Sequence, residues 1–170
     1  MLQNEQKSII VLPHLDDEFA FAPLMRKLGQ IASDPITIVY CAERTKDNES
    51  IRKKRRRECF KSIKLFGLAN FNIIFLNDHF IVDDLLIYES CKDIFLFLKN
   101  YCYEMQISEI ITVNLEGGHP DHDTVALLVS KLGNDYAINT RFIPIYNNRK
   151  SFGILPVSVF KPLQTQDFFF

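Results

Sequence analysis

The chain has no C-x-x-C pair, no glycine-rich loop after its first apolar run, no excess of charge of one sign and no long apolar segment. Each absence removes a class of function. Cys41, Cys59, Cys91 and Cys102 are widely spaced, which argues against zinc-finger and redox-pair chemistry. The loop after the first apolar run is acidic instead of glycine-rich and would repel phosphate, which disfavours a nucleotide-binding module. Lys and Arg number 20 against 21 Asp and Glu, so net charge gives no argument for nucleic acid or a membrane surface. No segment approaches the ~20 apolar residues of a bilayer-spanning helix. The N-terminal "MLQNEQKSIIVLPHLDDE" lacks the basic-then-apolar build of a signal peptide. The expectation is a soluble cytoplasmic protein with free thiols. Trp is absent and Phe numbers 15, and nothing functional follows from either.

What is present is globular. Hydrophobic residues make up 47% and charged residues 24% of 170, which suits one domain, residues 1–170, with a real core. Short β-branched runs alternate with longer amphipathic stretches. "SIIVL" (8–12) reads as a strand covered on both faces, and "ITIVYC" (36–41), "FNIIFL" (71–76) and "EIITV" (109–113) read as the next three strands. "RFIPIY" (141–146) reads as a fifth, at a sheet edge or bulge because of Pro144. Helices are predicted over 18–29, 49–68, 87–104 and 124–132, with Gly67 and Gly133 as stops. The run "RKKRRR" in the second is read as a solvated helix face, in preference to a nucleic-acid patch. This alternation predicts an α/β fold, a Rossmann-like three-layer sandwich with a mainly parallel sheet of about five strands. Ligands bind such sheets at the carboxyl ends of the strands.

Two loops at that rim carry the chemistry. "PHLDDE" (13–18) follows the first strand and "EGGHPDHD" (116–123) follows the fourth. They hold three of the chain's four histidines, His14, His119 and His122. Carboxylates crowded this closely repel unless something positive sits among them, and a divalent metal would do so. A catalytic zinc takes three His, Asp or Glu ligands and keeps a position for water. His14 and Asp17 can supply two ligands, and His119 or His122 the third. The blander alternatives are that Asp16 or Asp17 caps the next helix, that the histidines lie on the surface, and that Glu18 complements the helix dipole. His79 is either a surface residue or part of the cleft rim.

"PHLDDE" with "GHPDH" resembles the LmbE-like, PIG-L-type zinc-dependent de-N-acetylases, whose first motif usually reads P/A-H-P-D-D-E and whose second reads H-P-D-H or H-x-x-H. Arg55, Glu58 and "LFG" (65–67) match a weaker R-x-x-E…L-G feature of the family. The resemblance covers roughly residues 1–145. It implies that His14, Asp17 and His122 hold Zn2+, or another divalent metal, and that Asp16 is the general base. It implies that His119 stabilises the oxyanion as an imidazolium or protonates the leaving amine, with Asp121 keeping it charged and oriented. Arg55 would contact the sugar; Asp78 would either match an acidic sugar contact of the family or be a plain loop residue. The implied reaction removes the N-acetyl group from an N-acetylglucosamine-type sugar or conjugate. A related amidase acting on another acyl amide, and a non-catalytic metal or sugar binder, are the alternatives; intact Asp16 and His119 argue against the binder. The expected partner is a small amino-sugar substrate, with no nucleic acid. Three departures stand out. Leu15 replaces the usual proline, which is expected to loosen the turn. Gly117 and Gly118 stand where some members have a tyrosine. Only Asn147 to Phe170, ending in "DFFF", remain where members build the wall of the substrate cleft.

Overall fold

The computed structural model describes residues 7–32 and 34–145. Tyr146, predicted to end the fifth strand, the N-terminal six residues and the Asn147–Phe170 segment lie outside the described residues. The elements run β1 (Ser8–Leu12), α1 (Ala22–Ile31), β2 (Ile36–Tyr40), α2 (Glu49–Leu65), β3 (Phe71–Phe75), α3 (Cys91–Met105), β4 (Glu109–Val113), α4 (Pro120–Tyr136) and β5 (Asn139–Ile143).

All five strands are parallel, in the order β3-β2-β1-β4-β5. Alternate residues face opposite layers, as a strand's period of two requires. Ile9 and Val11 join one core with Ile94, Leu98 and Val129 of α3 and α4. Ile10 and Leu12 join the other with Met25, Leu28, Cys59 and Ile63 of α1 and α2. The sheet is thus the middle of three layers, and burying each such aliphatic side chain contributes about 1.5–3 kcal/mol. The order reverses between β1 and β4. That is the topological switch point, where the two adjoining loops diverge and leave a crevice.

Local chemistry sets the element ends. Asn48 caps α2, its side chain accepting from Ile51 N at 3.0 Å. Gly67 ends that helix at φ 94°, a conformation with little cost only for glycine. Three predicted helices differ, and the one predicted from residue 87 opens as a 3-10 turn, Ile87–Ser90, before its α-helix starts at Cys91. Residues Asp17–Phe21 form a 3-10 turn, and the α-helix starts only at Ala22, with Pro23 in its first turn. The fourth helix starts at Pro120 instead of Thr124, with His119 as its cap. It also runs through Gly133, which is no stop. A Cβ there would meet Thr140 Cγ2 at 2.4 Å, so the glycine serves the close approach of α4 to β5. Pro144 follows edge strand β5 directly, where its missing N–H costs the ladder nothing.

Candidate active site

The loops after β1 and β4 meet at the switch point. His14, Asp17 and His122 place one ligand atom each within 4.8 Å of one another. His14 Nδ1 lies 3.4 Å from Asp17 Oδ2, and His122 Nε2 lies 3.3 Å from Asp17 Oδ1. His122 is in this cluster because α4 begins early: it sits on the buried first turn of the helix. Asp17 is held from its own loop, accepting His14 N–H at 2.8 Å. The His119 ring lies 5.0 Å from that of His14 and 4.8 Å from that of His122, centroid to centroid. A second triad, His14, Asp84 and His119, shares His14 with the first.

Asp121 departs from its predicted role. Its carboxylate does not hold His119; Oδ2 pairs with Nε2 of His14 at 2.8 Å. The same carboxylate, fully buried, accepts the backbone N–H groups of Leu85 and Ile87 at 2.6 and 3.2 Å. Its link to His119 runs through the main chain: Asp121 N–H donates to His119 Nδ1 at 3.2 Å. The physical reason is the helix start. As cap, His119 turns its ring to the free N–H groups of α4, while Asp121, in the first turn, points inward to His14.

Asp16 is exposed and adopts φ 130°, a conformation rarely open to a non-glycine residue. Its side chain makes no cap hydrogen bond. The N–H of Asp16 donates to Glu18 Oε2 at 2.9 Å, and the hydroxyl of buried Tyr40 donates to the same oxygen at 3.0 Å. Glu18 therefore anchors the loop instead of merely complementing a helix dipole. Leu15 is buried in the α1/α2 core, so the turn that lacks proline is secured by packing.

Arg55 is the arginine of the basic run that faces the site. It donates to Leu15 O at 3.3 Å, pairs with Asp47 at 3.5 Å and walls a cleft with His14, Glu43, Arg44 and Asp84. The cleft holds about 10 Å3, room for about one water. Asp78 does not reach it. Its carboxylate is exposed and taken by Arg56, at 2.8 and 3.0 Å. The cleft acid is Asp84, 3.3 Å from His14 Nε2. Sequence reasoning missed Asp84; the signal was that the long loop after β3 ends on the same rim. His79 packs on Phe97, 4.9 Å between centroids, and is not among the cleft residues.

Electrostatics describe a site that demands positive charge. Burial opposes a charge on His14, but hydrogen bonds to Asp121 and Asp17 outweigh it and push the imidazole up to about 9. Burial would raise Asp17, yet bonds from His122 and His14 hold it well below the usual carboxylate range. Asp121 is likewise held low, against its burial, by His14 and two backbone N–H groups. Although Asp16 is exposed overall, partial desolvation of its carboxyl, and then the charge of Asp17, raise its pKa. His119 is lowered by burial and by the neighbouring histidines, so this ring is biased neutral and not imidazolium. The proton on His14 balances the charge a metal would balance. Two imidazoles and a carboxylate, converging within ligand distance, are a donor set that suits zinc.

A parallel α/β domain with a His–Asp–His cluster at its switch point is the class this fold and site define. The family model for GlcNAc-PI de-N-acetylase, PIG-L, matches residues 9–132, and the chain belongs to that family. A comparison with curated proteins gives no match. Solved structures share the fold. An N,N'-diacetylchitobiose deacetylase from Pyrococcus horikoshii, complexed with an inhibitor, is 20% identical with TM-score 0.60, over 79% of this chain and 53% of its own. A zinc-inhibited form of a teicoplanin deacetylase is 11% identical with TM-score 0.62, over 81% and 66%. A 4-carboxy-2-hydroxymuconate hydratase from Pseudomonas putida is 14% identical with TM-score 0.54, over 81% and 62%. The chain thus spans about half to two-thirds of the length of these structures. Among the described residues, no helix is long and apolar enough to cross a membrane.

Proposed function

We propose that this chain is a metal-dependent amide hydrolase that removes the N-acetyl group from an N-acetylglucosamine-type sugar or sugar conjugate. The observation that carries the reading is the convergence of His14, Asp17 and His122 beside Asp16 and His119. Zn2+ held by the first three, with one position open, would lower the pKa of a bound water to about 7 and polarise the amide carbonyl.

The chain's own residues supply the rest. Asp16 is an exposed residue with a partly desolvated carboxylate whose pKa is raised, so it accepts the proton of the attacking water. His119 accepts the Asp121 N–H at Nδ1, which leaves a neutral ring with its proton on Nε2. That N–H is a donor for the amide oxygen as negative charge develops there. Protonated Asp16 then returns its proton to the leaving nitrogen, giving free amine and acetate. Arg55, on the cleft wall, offers its guanidinium to sugar hydroxyls.

The test pairs metal content with amine release, in the wild type and Asp16→Asn, over N-acetylglucosaminides and other acyl amides. The expected result is about one zinc per chain in both proteins, consistent with a three-ligand site, and amine release from the glucosaminides by wild type alone. Failure to bind any divalent metal would overturn the reading. Metal binding with release only from another acyl amide would replace the sugar substrate.

A further inference from the structure

Helix α2 carries eight of the chain's 20 Lys and Arg residues and two of its 21 carboxylates, Glu49 and Glu58, so the near-neutral whole hides a strongly basic element. The helix sorts these cations by face. Cys59 and Ile63 are buried against the sheet, and Arg55 and Arg56 are turned to acids of the protein. Lys54, Arg57, Lys61 and Lys64 are all exposed and follow one another at intervals of three, four and three. That spacing puts them in a single stripe on the side away from the core, about 15 Å long. Glu58 answers Lys54 at 3.9 Å; Lys61 and Lys64 have no ion-pair partner among the described residues.

Large apolar side chains border the stripe. Leu65, four residues after Lys61, is 83% exposed, and Phe60, four before Lys64, is 43% exposed. Phe19, 76% exposed, packs edge-on against Phe66 at the end of the same helix. A helix with cations in its solvent face and apolar side chains beside them suits the boundary between lipid headgroups and acyl chains.

We propose that the outward face of α2 docks peripherally on an anionic lipid bilayer. The cations meet the negative surface, and Leu65 and Phe60 enter the headgroup layer at its edges. A nucleic-acid backbone would use the four cations but gain nothing from an exposed Leu65; a bilayer uses both. This inference is independent of the hydrolase reading.

Vesicle sedimentation tests it, with phosphatidylcholine vesicles with and without phosphatidylserine. The full chain is expected to sediment only with the serine-containing vesicles and to be released near 0.5 M salt, about the strength at which screening spans a few ångströms. Each surface cation is worth roughly a fivefold gain in partitioning. Replacing all four (K54Q/R57Q/K61Q/K64Q) should therefore lower partitioning more than roughly a hundredfold, with the melting temperature unchanged. Leu65→Gln should weaken binding in a way salt does not mimic. Equal sedimentation with neutral vesicles, no sedimentation at all, or full binding by the quadruple variant overturns the proposal. So does binding of single-stranded RNA through the same four residues without vesicle binding.

Discussion

Oδ2 of Asp121 lies 2.8 Å from Nε2 of His14, while Nδ1 of the same ring faces Asp17. One imidazole thus bridges a buried carboxylate and the candidate metal position. A carboxylate behind a ligating histidine fixes ring orientation and tautomer and raises its basicity, and losing it typically costs about 10–100-fold in metal affinity. Asp121→Asn is expected to weaken zinc binding by that range, measured by competition with a chelator. An unchanged affinity would mean that His14 ligates through Nε2, with Asp121 displaced.

The same pair sets a pH dependence. Folding raises His14 from 6.5 to about 9. A group that holds its proton more tightly in the fold stabilises it below the unfolded pKa and loses that contribution as pH rises through the folded one. The metal-free chain should therefore lose stability between pH 6.5 and about 9. Asp17 and Asp121 act in the opposite sense: their depressed pKa values stabilise the fold above 3.8 and are lost on acidification. Zinc must displace the His14 proton, so its affinity should climb over the window in which the metal-free fold weakens. Melting curves against pH, with chelator and with zinc, read both trends. A chelated protein whose melting temperature is flat from pH 6.5 to 9 would show that His14 carries no proton in the fold.

Asp16 at φ 130° is held by Glu18, and Glu18 by Tyr40. Backbone strain of this kind costs on the order of 1–3 kcal/mol and persists only where the surroundings enforce it. Asp16→Asn keeps the shape and tolerates positive φ, so metal content should stay while kcat falls by roughly 10²–10⁴, the usual worth of a general base. Tyr40→Phe removes a donor from buried Glu18 and should cost about 1–3 kcal/mol of stability. It should also lower kcat more than it changes KM, because the loop that aims Asp16 loosens. Tyr40→Phe with wild-type turnover would leave Glu18 a purely structural role.

Strands were the most legible part of the chain. Runs such as "SIIVL" and "EIITV" carry consecutive β-branched residues at their centres, Ile9–Val11 and Ile110–Val113, and only a sheet covered on both faces buries those side chains in both directions. The two histidine-bearing loops were legible because parallel topology sends both to one rim. Partners inside the site were not. Whether Asp121 serves His14 or His119 depends on which way one helical turn faces, and that follows from a cap that reads as loop: Gly-His-Pro hides a helix start. Gly133 misled for a related reason, since a glycine that permits close packing looks the same in one dimension as a glycine that ends a helix. Asp84 and Asp78 are six residues apart in one loop, and only the Arg56 contact separates the cleft acid from the outer one.

That contact makes neighbouring arginines testably different. Arg56 lies 4.1 Å over the Phe75 ring and grips both carboxylate oxygens of Glu43, which is buried, together with exposed Asp78. Its pKa is raised accordingly, first by the Glu43 bond. Arg56→Met would strand the Glu43 carboxylate without its cation. Fully buried pairs lose about 3–5 kcal/mol this way. With Arg56 25% exposed, water offsets part of the loss, and at least about 2 kcal/mol is expected. Arg56→Lys should recover little, since a point charge cannot reproduce the forked contact. Arg55 has only a 3.3 Å bond to a carbonyl and a 3.5 Å pair to Asp47. Arg55→Met should therefore melt within about 1 kcal/mol of wild type and raise KM for the sugar with little change in kcat. Denaturant melts and steady-state kinetics on the two variants separate the roles. An Arg55 variant that unfolds, or an Arg56 variant that melts like wild type, would exchange the assignments of cleft and clamp.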